Sequence, residues 1–192
     1  ERQKEGRQRR DPSAPVPAQK PEHGDEHQRR RERIGATRNV GDGFDTVTCL
    51  GNTLPHVLSR AALRATLADI AAVLRPGGLF IVQQLNYDRI LARRQRFLGV
   101  SSGLENGREM LFFRFYDFGE ERLTFNLVAL KKTDGNWSYQ VHTTPLRPIL
   151  CEELVQLLHE CGFGEVELFG DYERGPFVAE ESNDLIVVAR RV

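Results

Sequence analysis

The sequence FDTVTCLGN at residues 44–52 decides the fold of this chain. It is rich in β-formers and ends in Gly51-Asn52, so it predicts a strand that runs into a loop. Helical spacing follows Ser59, a favoured N-cap, until the RPGG sequence at 75–78 stops the helix. The apolar run LFIV at 79–82 predicts a second strand, covered on both faces. Strand, helix and strand at this spacing indicate a βαβ unit with a right-handed crossover. The apolar positions of the helix are Leu63, Leu67, Ile70, Ala71 and Leu74.

Downstream of this unit the sequence changes to long extended runs. Turn signals separate three of them, which predicts an antiparallel β-meander inserted after the second strand. Helical spacing returns over 151–161, with Gly162 as the C-terminal cap. The expected order is β-α-β, meander, α-β-β, which is an α/β fold. The meander strands are expected at 109–118, 122–131 and 137–145, and two closing strands at 165–169 and 184–190.

The first 43 residues differ in composition from the rest of the chain. They hold 11 Lys and Arg against 8 Asp and Glu, a net charge of +3, whereas the whole chain has 27 of each kind. They contain four prolines but no Phe, Tyr, Trp or Leu. A segment that buries little apolar surface cannot offset its chain entropy. We therefore predict a disordered basic extension over 1–43, unrelated to the fold, and a folded body over 44–192.

The composition also excludes several classes of protein. No apolar run reaches the roughly 18 residues of a membrane-spanning helix. The first residues, ERQKEGRQRR, do not resemble a secretory signal peptide. Three cysteines are too few and too scattered for a disulfide framework or a thiolate zinc site. We therefore expect a cytoplasmic protein that does not enter a membrane.

Three other signals have simpler interpretations. The sequence HGDEH at 23–27 matches the H-x-x-E-H zinc-peptidase pattern, but Gly24 weakens the helix that such a site needs, so no metal is expected. The arginines at 29–31 could contact phosphates, but no aromatic residue accompanies them for base stacking, so nucleic acid is disfavoured as a partner. Cys49, at a strand end, could be a nucleophile, but a buried structural cysteine is the simpler interpretation.

Two polar clusters follow the first two predicted strands. They are LGNTLPH at 50–56 and QQLNYD at 83–88. In open α/β sheets, ligands bind beyond the carboxyl ends of the strands, which is where both clusters fall. Gly51 allows a close approach to the backbone, and Asn52 offers donors and acceptors. The alternative interpretation is that Asn52 and His56 only build a turn and the start of a helix.

Several of these stretches together resemble a known family. FDTVTCLGNTLPH, LRPGG, LFIVQQ and NYDRIL, between residues 44 and 91, are similar to class I S-adenosylmethionine-dependent methyltransferases, in particular the glycine and sarcosine N-methyltransferase group. The sequences ELVQLLHECGF, GDYE and DLIVVARR fit the end of the same family. The resemblance covers about 44–192. It implies a Rossmann-like sheet with the meander as an insertion. It also implies methyl transfer from S-adenosyl-L-methionine to a small-molecule acceptor, with an amine preferred.

The resemblance implies roles on the cofactor side of the site. Leu50, Gly51 and His56 would bind the cofactor, and Asn52 would face both the cofactor and the substrate. No single catalytic acid or base is implied, because a sulfonium methyl group is already activated and its transfer needs alignment and dehydration.

The resemblance also implies roles on the acceptor side. Asn52, Asn86 and Tyr87 would bind the substrate, in a pocket roofed by the meander. Family members that act on amino acids hold the substrate carboxylate with an arginine, and this position falls at Gln140 here. Arg147 is close by in the sequence and is expected to replace it.

One element of the family is missing from the sequence. The family begins with a strand and a Gly-rich turn that cradles the cofactor, whereas the glycines before Phe44 form no G-x-G-x-x-G and follow no apolar strand. We therefore expect an N-terminally incomplete sheet with impaired cofactor binding, the C-terminal portion of a methyltransferase joined to an unrelated upstream segment. Its partner would be a complementing N-terminal portion or a second copy of the chain. The alternative function is a catalytically inactive remnant that acts as a binding or regulatory partner.

Overall fold

The computed structural model of the chain describes residues 41–192. Almost all of the extension predicted over 1–43 lies outside that range, as do the H-x-x-E-H match at 23–27 and the arginines at 29–31. The described residues form two four-stranded sheets, one mixed and one antiparallel. This is the α/β architecture with a meander that the sequence predicts.

The fold begins with the predicted βαβ unit. Strands β1 (Phe44–Cys49) and β2 (Leu74–Leu85) are parallel neighbours, and helix α1 (Arg60–Val73) connects them after a short 3-10 turn at Leu54–His56. The hydroxyl of Ser59 accepts a hydrogen bond from the amide of Ala62 at 3.2 Å, so Ser59 caps α1 as expected. The RPGG sequence does end the helix, but it lies within the first part of β2, where the register with β1 shifts.

The mixed sheet, which we call sheet A, is completed by the last strands of the chain. Helix α2 (Tyr87–Ala92) follows β2, and helix α3 (Cys151–Glu160) precedes strands β7 (Phe163–Phe169) and β8 (Asp184–Arg191). The strand order is β1-β2-β8-β7, with β8 antiparallel to both neighbours. Both closing strands and the helix at 151–161 are therefore confirmed to within two residues.

One face of sheet A carries the main core. Helices α1 and α3 pack on this face, where Phe80 and Val82 of β2 are fully buried. Leu79 and Ile81 point to the other face and are only partly buried. The expectation that β2 is covered on both faces is therefore met on one face only within the described residues, because α1 and α3 lie on the same side. The helix residues of this core are Leu63, Leu67, Ala71, Leu154, Leu157 and Leu158.

The antiparallel sheet, which we call sheet B, is the predicted meander, with one strand more than expected. Its strands run consecutively, each antiparallel to the next, and the hairpin turns Asn106-Gly107 and Asp134-Gly135 have positive φ at both residues. The first strand was not predicted, because its glycines and serines have low strand propensity and no alternation. The short helix α2 was not predicted either. The strands are β3 (Phe97–Glu105), β4 (Arg108–Phe118), β5 (Leu123–Thr133) and β6 (Asn136–Leu146).

A second, smaller core joins α2 to the base of sheet B. Tyr87 and Ile90 of α2 are buried against Tyr116, Leu123 and Leu146, which come from β4, β5 and β6. This contact brings the meander next to the carboxyl ends of β1 and β2.

Candidate functional site

The loop after β1 is fixed to its neighbouring strands by hydrogen bonds. Gly51 and Asn52 both have positive φ, +73° and +59°, which glycine and asparagine tolerate better than other residues. The amide of Gly51 donates to Oε1 of Gln83 at 2.8 Å. In turn, Nε2 of Gln83 donates to Oδ1 of Asp184 at 2.7 Å. These bonds therefore fix the turn at the edge of sheet A where β1 and β2 end and β8 begins.

The side chain of Asn52 joins the two polar clusters predicted from the sequence. Its Oδ1 accepts a hydrogen bond from the amide of Leu85 at 3.0 Å. Its Nδ2 donates to the hydroxyl of Tyr87 at 2.9 Å. One amide side chain thus bridges the loop after β1 and the start of α2. Asn52 remains partly exposed, so the same side chain can contact a ligand.

Tyr87 connects this edge of sheet A to the meander. Its side chain is fully buried, and its hydroxyl hydrogen-bonds to that of Tyr116 on β4. Burial is the main reason that the pKa of each tyrosine is raised. Both phenols are therefore neutral at physiological pH. Their hydroxyls fix the positions of neighbouring groups and do not act as bases. Sequence reasoning missed Tyr116, because nothing distinguishes it from the other aromatic residues of β4.

The polar side-chain atoms of Asn86 form hydrogen bonds within the fold. It is fully buried, and its Oδ1 accepts from the amide of Arg89 at 3.2 Å, which caps α2. Its Nδ2 donates to the carbonyls of Ala179 and Ser182, both at 2.9 Å. These bonds tie the loop before β8 to the start of α2. A direct contact with an acceptor remains a prediction, and the contacts present make Asn86 a positioning residue.

The predicted cofactor contacts Leu50 and His56 lie on the same loop as Asn52. Leu50 is 47% exposed at the end of β1, and His56 is exposed in the 3-10 turn. Thr53 closes the loop between them, because its hydroxyl donates to the carbonyl of Leu50 at 2.7 Å. An exposed leucine beside a glycine is an arrangement that an aromatic ligand ring can contact. The roles of both residues remain predictions.

Arg147 lies just after β6 and is partly buried. Its backbone amide donates to the carbonyl of Pro55 at 2.8 Å, which places it beside the 3-10 turn. Its guanidinium forms an ion pair with Glu153 of α3, and Glu153 is also 3.5 Å from Nε of Arg60. The Nη1 atom of Arg147 is buried without a hydrogen-bond partner among the described residues. Arg147 also lines a cavity of about 450 Å³ with Arg60 and Arg122.

Other kinds of site find less support. Cys49 packs against the main core, and burial raises the pKa of its thiol, which disfavours a nucleophilic thiolate. Between residues 41 and 192, no group of three or more His, Cys, Asp or Glu side chains is placed to hold a metal ion. None of the helices in this range is long and apolar enough to cross a membrane.

Comparison with known sequences gives matches to one group of enzymes. No family model matches the chain. It is 29% identical over 141 residues to a glycine/sarcosine N-methyltransferase from Aphanothece halophytica, covering 71% of this chain and 48% of that protein. It is 30% identical over 139 residues to a glycine/sarcosine N-methyltransferase from Parasynechococcus marenigrum, covering 71% of this chain and 46% of that protein. The chain thus spans about half the length of the curated relatives it matches.

Comparison with solved structures concerns the fold. An S-adenosylmethionine-dependent methyltransferase from Clostridium acetobutylicum matches with a TM-score of 0.67 at 12% identity, covering 86% of this chain and 69% of that one. CalS10, an amino pentose methyltransferase from Micromonospora echinaspora, matches with a TM-score of 0.61 at 18% identity, covering 83% and 62%. The described residues have the class I methyltransferase fold. In this methyltransferase fold, the bridge from Asn52 to Tyr87 lies at the edge of the sheet where ligands of α/β proteins bind.

The residues at this edge fit one side of S-adenosylmethionine. Leu50 offers an apolar surface, and a Cβ built on Gly51 would meet nothing within 4 Å, so a ligand has room to approach. Asn52 adds an amide donor and acceptor beside them. The sequence contains no G-x-G-x-x-G turn that would hold the opposite side of the cofactor.

Proposed function

We propose that this chain carries the acceptor side of a methyltransferase that transfers a methyl group from S-adenosylmethionine to a small-molecule amine. The observation that supports it is the hydrogen-bonded series Asn52–Tyr87–Tyr116 at the carboxyl edge of sheet A. It occupies the same edge as Leu50 and Gly51, the proposed cofactor contacts. The likeness to glycine/sarcosine N-methyltransferases provides the reaction class.

The chain's residues would act by orienting the acceptor. S-adenosylmethionine supplies an activated sulfonium methyl group when it is bound. The carbonyl oxygen of Asn52, which accepts from the amide of Leu85, would also accept a hydrogen bond from an N–H group of a neutral amine, and the amine lone pair would stay free to attack the methyl group. Tyr87 and Tyr116 would keep the Asn52 side chain in one orientation. Neither phenol can act as a base near neutral pH, so an acceptor that these residues hold would arrive unprotonated, and the rate should follow the acceptor's own pKa.

We further propose that Arg147 contacts the acceptor when the acceptor carries a carboxylate. Its Nη1 atom is buried and has no partner among the described residues, which supports this role. The ion pair with Glu153 opposes it, because the acceptor would have to share the guanidinium. Arg147→Met should raise the KM for amino-acid acceptors at least tenfold and leave the KM for amino sugars within twofold. Equal effects on both acceptor classes would rule out carboxylate recognition.

The cofactor should bind weakly to this polypeptide. Residues 44–192, the proposed methyltransferase portion, provide contacts for one side of S-adenosylmethionine, and the sequence before them has no Gly-rich turn. Isothermal titration calorimetry with residues 1–192 should therefore give a dissociation constant above the micromolar range. Micromolar affinity would show that the cofactor is held by means that the sequence does not reveal.

Radiolabelled methyl transfer tests the function itself. The full chain is assayed against glycine, sarcosine and an amino sugar, alone and mixed with the N-terminal half of the Aphanothece halophytica relative. Transfer that requires the added half supports the acceptor-side function. Transfer by neither sample supports the second candidate, an inactive fold remnant that binds an intact methyltransferase, which the missing Gly-rich turn favours. A pull-down of that intact enzyme would then be the direct measurement.

A cytoplasmic location remains a prediction that cell fractionation would check.

A further inference from the structure

Sheet B presents a broad apolar surface on its outer face. Six large hydrophobic side chains of the sheet are exposed, by 45% to 76%, and the strand registers place all six on one face. The register aligns Val100, Phe113, Val128 and Val141 across all four strands. We call this surface the outer face of sheet B. Its six exposed hydrophobic residues are Phe97, Val100, Leu104, Trp137, Tyr139 and Val141.

The outer face is separate from the candidate functional site. Tyr116 points to the opposite face of β4, where it packs on Phe125 and bonds to Tyr87. Side chains alternate between faces along a strand, so Phe113 and Phe115 lie on the outer face. The candidate site therefore does not explain why this surface is apolar.

Charged residues at the two ends of the outer face are already paired within the chain. Lys132 is 2.8 Å from Glu109 at one end, and Arg96 is 2.7 Å from Asp117 at the other. Arg96 also lies over the rings of Phe97 and Phe115. A partner that covers the face need not supply an opposite charge. A second copy, which presents the same apolar centre and the same neutral ends, meets this condition.

The area of the outer face and the composition of the chain also favour a second copy as its occupant. Strand spacing and rise give a flat area of about 600 Å² for four strands of nine residues. This is at the upper limit of what monomers expose and approaches the roughly 800 Å² per partner of a stable interface. Residues 1–43 contain no Phe, Tyr, Trp or Leu with which to cover it.

We infer that the outer face of sheet B is a homodimer interface. Two copies would pack these faces together about a twofold axis, as two sheets about 10 Å apart with aligned strands. This inference does not depend on the methyl-transfer activity, since it concerns the other face of the meander.

Sedimentation velocity of the full chain between 1 and 100 μM tests the inference. The wild-type chain should be a dimer in this range. Val141→Lys, and independently Val100→Lys on the far strand, should raise the dissociation constant at least tenfold, because each places a charge inside the interface. Ser138→Lys introduces the same charge on the opposite face of β6 and should leave the dimer intact. Circular dichroism establishes that each variant is folded.

Several results would overturn the inference. They are a monomeric wild-type chain at 100 μM, a Val141→Lys dimer as stable as the wild type, and equal weakening by Ser138→Lys. Open-ended association of the wild type would also contradict it, because a twofold interface closes after two copies.

Discussion

The hydroxyl of Tyr87 lies 2.9 Å from Nδ2 of Asn52, a residue 35 positions earlier in the chain. This bond joins the loop after the first strand to the first turn of α2. Tyr87 also bonds to Tyr116, so the series continues into the meander. The arrangement of the candidate site therefore depends on a few buried polar contacts, and each can be tested separately.

Asn52 should matter more for stability than a comparable asparagine without side-chain contacts to other strands. Asn52→Ala and Asn106→Ala each place alanine at a positive φ, +59° and +51°, so the backbone cost is shared. Only Asn52→Ala also removes the bonds to Leu85 and Tyr87. In urea denaturation, we expect the free energy of unfolding to fall by about 1–3 kcal/mol more in Asn52→Ala than in Asn106→Ala. Equal losses would mean that the side-chain bonds contribute nothing.

Tyr87 and Tyr116 should be energetically coupled. Tyr87→Phe removes the hydroxyl to which Tyr116 bonds, Tyr116→Phe removes one of the two partners of the Tyr87 hydroxyl, and the double variant removes both hydroxyls. A double-mutant cycle should therefore give a coupling energy of about 0.5–2 kcal/mol. Tyr172→Phe, at an exposed tyrosine, serves as the control and should change stability by less than about 0.5 kcal/mol. Additive losses from the two substitutions would show that their hydroxyls do not interact.

Asn86 should be a more costly helix cap than Ser59. Both side chains accept a hydrogen bond from a first-turn amide, but Ser59 is exposed, whereas Asn86 is buried and also binds two carbonyls. Ser59→Ala should cost about 1 kcal/mol. Asn86→Ala should cost about 2–4 kcal/mol, because two part-buried carbonyls lose their donor in addition to the lost helix cap. Faster amide hydrogen exchange over 176–183 should accompany only the second variant.

Cys151 should make stability depend on alkaline pH. Burial raises the pKa of its thiol from 9.0 to about 11, and the charges of Asp88 and Glu152 add to the effect. The folded state then holds the proton more tightly than the unfolded state, so stability is complete below pH 9 and falls as pH rises toward 11. Iodoacetamide should alkylate Cys151 with a pH midpoint near 11 in the folded chain and near 9 in urea. Identical midpoints would contradict the burial argument. Cys151→Ser should reduce the alkaline loss of stability.

Much of the fold could be predicted from the sequence, because its signals are local. Ser59, Gly162 and the 75–78 sequence mark helix ends through their own backbone preferences. The aromatic runs around two turn sequences predict most of the meander. Strand β3 could not be predicted in this way, since its glycines and serines become a strand only by pairing with β4. The same holds for α2, whose six residues are too few for a helical pattern.

The candidate site, like the fold, could be predicted from the sequence only in part. The sequence alone determined that Gly51, Asn52 and Tyr87 follow two strands that end at one sheet edge, because parallel strands place their carboxyl ends together. Only the tertiary structure decided that Tyr116 joins them, that Gln83 holds the turn and that Asn86 is occupied by carbonyls of a distant loop. Such contacts join residues between 29 and 96 positions apart, and a buried polar group must find a partner wherever the packing brings one. Spacing along the sequence therefore does not predict which residues become partners.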